Sequence, residues 1–435
     1  MKILHTIGGL LLFLCIGATC FAHNEIPGEK QKKPIALTNA KLYTVTGGVI
    51  ERGTIVFDNG KITAFGISAT IPQGAEVIDC KGSSVYPGFI APNSVIGLTE
   101  VDAVRATRDM NEVGSVNPNA RAAVAYNPDS EIIPTVRTNG ILIANVVPQG
   151  GMVGGTTSLM MLDGWTREDI SLNGYASMAI TFPNLATFTA PWMQKSADDQ
   201  RKDNDKAVQA LYDYFTKAQM YSKAAQSALT DNARDIRLEA MRAVFEKNMP
   251  VMIQCGEYKQ IIAAIEFAKK FQLNAILVGC EDAWRCTREI KASGYPVIIG
   301  RVHSLPRRDD EPYDITYKLP QILATEGIVF AFSDGGAWQQ RNLPFQAGSA
   351  VAFGLKEEDA VKALTINPAS MFGAQKQVGS LEVGKDATLF VSTGNALDAL
   401  GNKLEYAFIQ GRKMSLETKQ TRLAEKYRTK YKQQR

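Results

Sequence analysis

Histidine is nearly missing from this chain: of 435 residues only His5, His23 and His303 carry an imidazole. A catalytic centre that grips its metal with several imidazoles is therefore out of reach. Cysteine is scarce as well. Cys15 and Cys20 lie in an N-terminal leader, which leaves Cys80, Cys255, Cys280 and Cys286. Four cysteines in a core of this size make no disulfide framework. No apolar run beyond the leader reaches the roughly 18 residues of a membrane-crossing helix, so no integral span is expected. A general basic surplus is absent too. The net charge of +4 hides a local excess, because nine Lys and Arg lie between Arg412 and Arg435 against only Glu417 and Glu425. The rest of the chain is acidic on balance, and nucleic acid is not an expected partner.

The sequence begins with Lys2, an apolar run from Ile7 to Ile16, and small residues leading to Cys20-Phe21-Ala22. That order describes a secretory signal peptide over 1–22, cleaved after Ala22, and implies a periplasmic or secreted protein. A lipoprotein signal at Cys20 is the weaker alternative, because Gly17 stands where a larger aliphatic residue belongs. After cleavage His303 is the one imidazole left within the folded chain.

Between Pro34 and Gly66 the residues alternate in short β-rich runs, with Asp58-Asn59-Gly60 between Thr54–Phe57 and Lys61–Phe65. An Asn-Gly pair in that setting predicts a hairpin, since both turn residues accept positive φ. A second β-rich stretch covers Ala387–Ser392 and Leu404–Met414, with Gly411 as its turn. Neither stretch buries a core alone, so the two are expected to combine into a small β-sandwich from segments 34–84 and 376–415. Between them, apolar runs alternate with helical periodicity, the mark of βα units. Eight candidate strands begin near Val85, Ile141, Ser158, Ser177, Val251, Ala275, Pro296 and Ile328. The expected fold is α/β: a (β/α)8 TIM-type barrel over 85–375 with a composite β-sandwich, followed by a basic helix over 416–435. In that helix Leu416, Leu423, Tyr427 and Tyr431 form a narrow stripe expected to dock on the barrel.

The run Pro87-Gly88-Phe89-Ile90-Ala91-Pro92-Asn93-Ser94-Val95 resembles the opening barrel strand of the amidohydrolase superfamily, which there reads Pro-Gly-hydrophobic-Ile-Asp-Ala-His-x-His. Leu364-Thr365-Ile366-Asn367-Pro368-Ala369 and Val378-Gly379-Ser380-Leu381-Glu382-Val383-Gly384-Lys385-Asp386-Ala387 resemble that family's return from barrel to sandwich. With the opening hairpin, the likeness covers nearly all of 34–415 and is closest to the imidazolonepropionase-like branch. It implies hydrolysis of non-peptide C–N bonds, such as those of cyclic amides, at a metal centre. It also implies ligand positions that here read Asn93, Val95, Gln254 and Gly279 in place of histidine. Valine ligates nothing, and an amide oxygen is a poor zinc donor. The family's last acid is kept as Asp334, in Phe332-Ser333-Asp334-Gly335-Gly336.

Asp334 has two open readings: a site carboxylate at a strand end, or a structural one that caps the following helix or hydrogen-bonds neighbouring amides. Without a Lewis acid to lower the pKa of water, an aspartate of ordinary pKa is a weak base. Cys255 and Cys280 end neighbouring strands and have three open readings: buried small apolar residues, a disulfide, or thiolates of a non-standard zinc site. His303 follows the seventh strand in a Pro-bounded loop, as a mouth contact or a solvated residue. Gly150-Gly151-Met152-Val153-Gly154-Gly155 lacks the pattern of a phosphate loop and reads as a tight turn near the mouth. Arg341, past Asp334, either meets a ligand carboxylate or is a surface arginine.

The candidate site is therefore Asp334 as the tentative catalytic group, with Asn93, Gln254, Cys280, His303 and Arg341 as substrate contacts. No metal ligands and no cofactor are expected, and zinc enters only through a non-standard site. The expected partners are a small molecule at the mouth, together with an active amidohydrolase partner or further copies of the chain. The activity expected is a non-catalytic, ligand-binding role. The alternative is a hydrolase with a rearranged or metal-free centre around Asp334.

Overall fold

The computed structural model describes residues 26–224 and 234–432. The expected signal peptide lies outside those residues. Five strands come first: β1 (Ile35–Tyr43), β2 (Val49–Asp58), β3 (Lys61–Gly66), β4 (Glu76–Asp79) and β5 (Ser84–Pro87). The barrel strands follow as β6 (Phe89–Ser94), β7 (Ile141–Val146), β8 (Val153–Met161), β9 (Ser171–Thr181), β10 (Val251–Cys255), β11 (Ala275–Gly279), β12 (Val297–Ile299) and β13 (Phe330–Phe332). Last are β14 (Leu389–Ser392), β15 (Leu404–Ile409) and β16 (Arg412–Lys413).

The two chain ends meet in one sheet of order β16-β15-β14-β5-β1-β2-β3, with β4 beside β1. Asn59 and Gly60 turn the β2–β3 hairpin with φ of 49° and 79°. Gln410 and Gly411 do the same between β15 and β16 at 49° and 72°. The strand expected from Val85 is in fact two. β5 pairs with β14 in the composite sheet, while β6 pairs with β7 in the barrel. The break falls at Gly88, where a Cβ would lie 2.9 Å from the Leu142 Cβ.

The second sheet runs β13-β12-β11-β10-β9-β8-β7-β6 and nearly closes on itself. It is mixed rather than wholly parallel, because β8 is antiparallel to both β7 and β9. Chain length explains this. A parallel return needs about a dozen residues, and only Val147–Met152 separate β7 from β8. Gly150 and Gly151, with φ of 82° and 71°, make that turn.

Side chains alternate across the barrel wall with period two. Ile90, Ile143, Met252, Ile276, Ile298 and Ala331 share one apolar cluster inside the barrel. Their neighbours Phe89, Leu142, Val251, Leu277, Val297 and Phe330 join the larger cluster under the surrounding helices. Met371 and Phe372, ending the helix Ile366–Met371, belong to the inner cluster and close the barrel at the ends where its parallel strands begin.

The first and last barrel strands share no ladder hydrogen bonds among the described residues. Gln340 spans that seam. Its Nε2 donates to the carbonyls of Asn93 (3.1 Å), Asp334 (2.6 Å) and Gly336 (2.9 Å). A second polar tie joins barrel to composite sheet: the Asp163 carboxylate lies 3.0 Å from Arg137 Nη1 and 3.7 Å from Arg412 Nη2, all largely buried.

The C-terminal helix spans Lys419–Tyr431 and is capped by Thr418. Its first turn reaches the helix Ile132–Arg137 through Arg422–Glu131 (3.5 Å) and Thr135–Gln420 (2.9 Å). The expected docking stripe does not form. Leu416 packs against the core, but Leu423, Tyr427 and Tyr431 are exposed by 41%, 48% and 61%. One aliphatic and two tyrosines on a basic helix bury too little apolar area to pin it along its length.

Asp163→Ala is expected to lower the unfolding free energy by about 3 kcal/mol, because two buried guanidinium groups lose their shared carboxylate. Urea midpoints of the two proteins measure this, and unchanged midpoints would contradict the role of the tie.

Candidate functional site

The barrel mouth lies where β10, β11, β12 and β13 end and where the β7–β8 turn sits. A cavity of about 110 Å3 opens there, lined by Asn93, Gln149, Gly150, Thr181, Met252 and Gln254 among others. Gln254 shares the inward parity of Met252 and is exposed in the mouth. Asn93 is half-buried beside it.

Asp334 stands just past β13 and is almost fully buried. Its Oδ2 accepts from Gln346 Nε2 at 2.6 Å and lies 3.7 Å from Arg301 Nε. Gln346 is itself oriented, since its Oε1 accepts from the Val302 amide at 2.7 Å. Burial pushes the Asp334 carboxyl above the usual aspartate value, and Arg301, the Gly335 amide and Gln346 pull the other way. The carboxylate is thus held by an amide and a guanidinium. It caps no helix: the turn that follows, Trp338–Asn342, starts from Ala337 without a side-chain cap.

Three sequence-predicted contacts fall elsewhere. Cys280 is fully buried. β11 ends at Gly279, and the chain turns through positive φ at Gly279 (90°) and Cys280 (50°). That turn carries Cys280 into the outer core beside Cys255, whose odd parity already points it under the helices. The two sulfurs are 3.8 Å apart and both thiols are free. Burial, then the neighbouring Cys255, raises the Cys280 thiol well above its usual range. It is therefore neither a disulfide in this structure nor an available ligand contact. His303 turns away from the mouth cavity. Its Nε2 bonds Ser349 Oγ at 2.8 Å, and it lines a separate cleft with Leu397 and Asp398. Burial and Arg301 lower its pKa. Arg341 donates to the Trp338 carbonyl of its own turn at 3.1 Å.

Two functional candidates escaped the sequence reading. Glu281 follows the Gly279 turn, and its carboxylate lies across the ends of three strands. A Cβ on Gly256, Gly300 or Gly279 would come within 2.5, 2.9 and 3.3 Å of its oxygens. Arg307 Nη1 is 3.7 Å from Glu281 Oε2. Three glycines at successive strand ends were the available signal. Asn145 is the other. It is fully buried on β7, donates to the Pro92 carbonyl at 3.1 Å, and its Oδ1 has no partner. Its signal was a lone amide in the apolar run of β7, at the same inward parity as Ile143.

The donor set does not suit a zinc or similar ion. Zinc takes thiolate, imidazole or carboxylate ligands, four in a structural site and three plus an open water position in a catalytic one. The mouth presents two amides, the Asp334 carboxylate engaged by Gln346 and Arg301, the Glu281 and Glu257 carboxylates both paired with Arg307, and, among the described residues, no imidazole. No cluster of three or more His, Cys, Asp or Glu side chains able to hold a metal occurs among the described residues.

The architecture is that of a barrel protein with a companion sheet assembled from both chain ends. The chain belongs to the amidohydrolase family, whose profile matches residues 169–414, more than half its length. It is 24% identical over 389 residues to an imidazolonepropionase of Syntrophobacter fumaroxidans, covering 80% of this chain and 85% of that one. An amidohydrolase structure from Thermotoga maritima superposes with a TM-score of 0.76 at 26% identity, covering 87% of this chain and 99% of the other. Phenylurea hydrolase B, at a TM-score of 0.52 and 15% identity, covers 88% of this chain and 97% of its own and shares the fold.

A carboxyl whose pKa is raised on folding stabilises the fold below its ordinary value, here 3.8, and that contribution fades as pH rises through the folded-state value. Wild-type protein should therefore lose stability relative to Asp334→Asn as pH climbs from about 4 through the higher folded-state value. Thermal melts of both proteins across that range check it. Arg301→Ala should steepen the loss, because it removes the cation that opposes the shift, and a flat difference would contradict the account.

Proposed function

We propose that this is an exported member of the amidohydrolase family whose barrel mouth recognises a small polar ligand without a family-type metal centre. One observation carries the reading: the position at which the resemblance expects a histidine on β11 is Gly279, and the Glu281 carboxylate lies 3.3 Å from where a side chain there would begin. The space is in use. At the matching positions on β10 and β6, Gln254 and Asn93 offer neutral amides to the cavity, and Val95 packs into the outer core. These groups recognise hydrogen-bonding ligands, and the rim guanidinium groups of Arg301 and Arg307 are balanced by Asp334, Glu257 and Glu281, which favours a neutral polar ligand. The leader over 1–22 supports a periplasmic or secreted location. No described helix is long and apolar enough to cross a membrane. In this reading the chain works with a small molecule at the mouth, alone, with further copies of itself, or beside an active amidohydrolase.

A second reading, a hydrolase of cyclic amides or related C–N bonds, is favoured by one observation. Asp334, the acid retained from the family pattern, is buried with its pKa raised, and a raised pKa improves a carboxylate as a proton acceptor. Its engagement by Gln346 and Arg301 works against that role.

Elemental analysis decides between them. Protein purified without chelator and then dialysed against zinc is expected to retain less than about 0.1 equivalent of metal. Stoichiometric zinc, iron or manganese that is lost on Asp334→Asn would overturn the first reading in favour of the second.

A further inference from the structure

At the far end of the barrel from the mouth, where β10 and β11 begin, lies a second cavity of about 860 Å3, several times the size of the one at the mouth. It falls within the roughly 300–1,000 Å3 typical of small-molecule sites. Its floor is apolar: Met371 and Phe372, the plug of the barrel, with Met249 beside them. One wall is the helix Ile236–Glu246, which turns Ala240 and Ala243, one turn apart, toward the space. Small residues there keep the cavity open.

The charges are unevenly spent. Glu239 and Glu246, the carboxylates on that wall, are both taken by Arg242, itself 7% exposed, at 3.2 and 2.6 Å. Across the cavity Arg121 donates to Tyr175 Oη at 2.5 Å and stacks 5.6 Å from that ring. Neither Arg121 nor Lys247 has a carboxylate partner among the described residues. Tyr175 leaves 54% of its surface in solvent. The unspent charge is positive and lies above an apolar floor.

We propose that this cavity is a second ligand site, built for an amphipathic organic anion. An aromatic or aliphatic body rests on Met371 and Phe372, and a carboxylate, sulfonate or phosphate head meets Arg121 and Lys247. Nothing in this depends on the reading of the mouth.

The test uses the full mature chain and two fluorescent probes of similar shape, the anionic 1-anilinonaphthalene-8-sulfonate and the uncharged N-phenyl-1-naphthylamine. The sulfonate binds at one equivalent. Arg121→Gln weakens it by about tenfold, the loss of one charge-assisted bond, while the uncharged probe changes less than about twofold. Ala243→Trp fills the cavity and abolishes both, and Ala240→Leu does the same if the tryptophan variant does not fold. Asp334→Asn, at the other end of the barrel, leaves both probes unaffected. Absence of sulfonate binding, or binding untouched by the filling variants, overturns the site. Equal loss or equal retention of the two probes in Arg121→Gln overturns the anion specificity and with it the proposal.

Discussion

Two glutamines fix the last strand of the barrel, and the character of the mouth follows from them. Gln340 donates to carbonyls on both sides of the seam between β13 and β6, where no ladder exists to close the sheet. Gln346, two turns on, presents its amide nitrogen to Asp334 and its oxygen to the Val302 amide. Both side chains are fully buried, where a hydrogen bond is stronger and an unmet polar group costlier than in water. The seam and the carboxylate are therefore set by one short stretch of chain. A carboxylate whose oxygen is already bonded by an oriented amide and faced by a guanidinium has less to offer a metal ion than a free one.

The same economy appears at β11. Gly279 and Cys280 both adopt positive φ, the strand ends at Gly279, and Glu281 lays its carboxylate over the glycines ending three strands. The room that a side chain at Gly279 would need is taken by Gln254 Nε2, 2.7 Å from where its Cβ would lie, and by the Glu281 carboxylate at 3.3 Å. The mouth becomes a small polar recess of amides, acids and arginines, suited to hydrogen-bonded recognition, while the opposite end of the barrel holds the larger space.

Much of the architecture was legible beforehand because it rests on short-range rules. The Asn59-Gly60 hairpin, the eight barrel strands and the helix Glu357–Leu364 each follow from turn chemistry or periodicity within a dozen residues. The antiparallel β8 was not legible, because the strand expected from Ser158 in fact starts at Val153, and only that earlier start shortens the connection to six residues, too few for a parallel return. Gln254 lies in the mouth as the resemblance implied, but Cys255, expected there from its place at a strand end, takes the opposite parity and lies in the outer core. Cys280 broke the parity only because the backbone turns left-handed there, which no local rule at a non-glycine residue announces. His303 and Arg341 were placed near the mouth by proximity in sequence, and their actual partners, Ser349 and the Trp338 carbonyl, came from loop paths.

By itself the sequence determined the inventory: three histidines in all, an aspartate at the end of the last barrel strand, and the amides of Asn93 and Gln254 on two others. Those are matters of composition and of alternation along a strand, and no folding can alter them. Tertiary structure alone decided what each group touches. The capture of Asp334 by Gln346 and Arg301, the placing of Glu281 over three glycines and the cavity beneath the barrel all join residues far apart in the chain. Such contacts depend on how closed strands and loops converge in space, and local preferences carry no information about that.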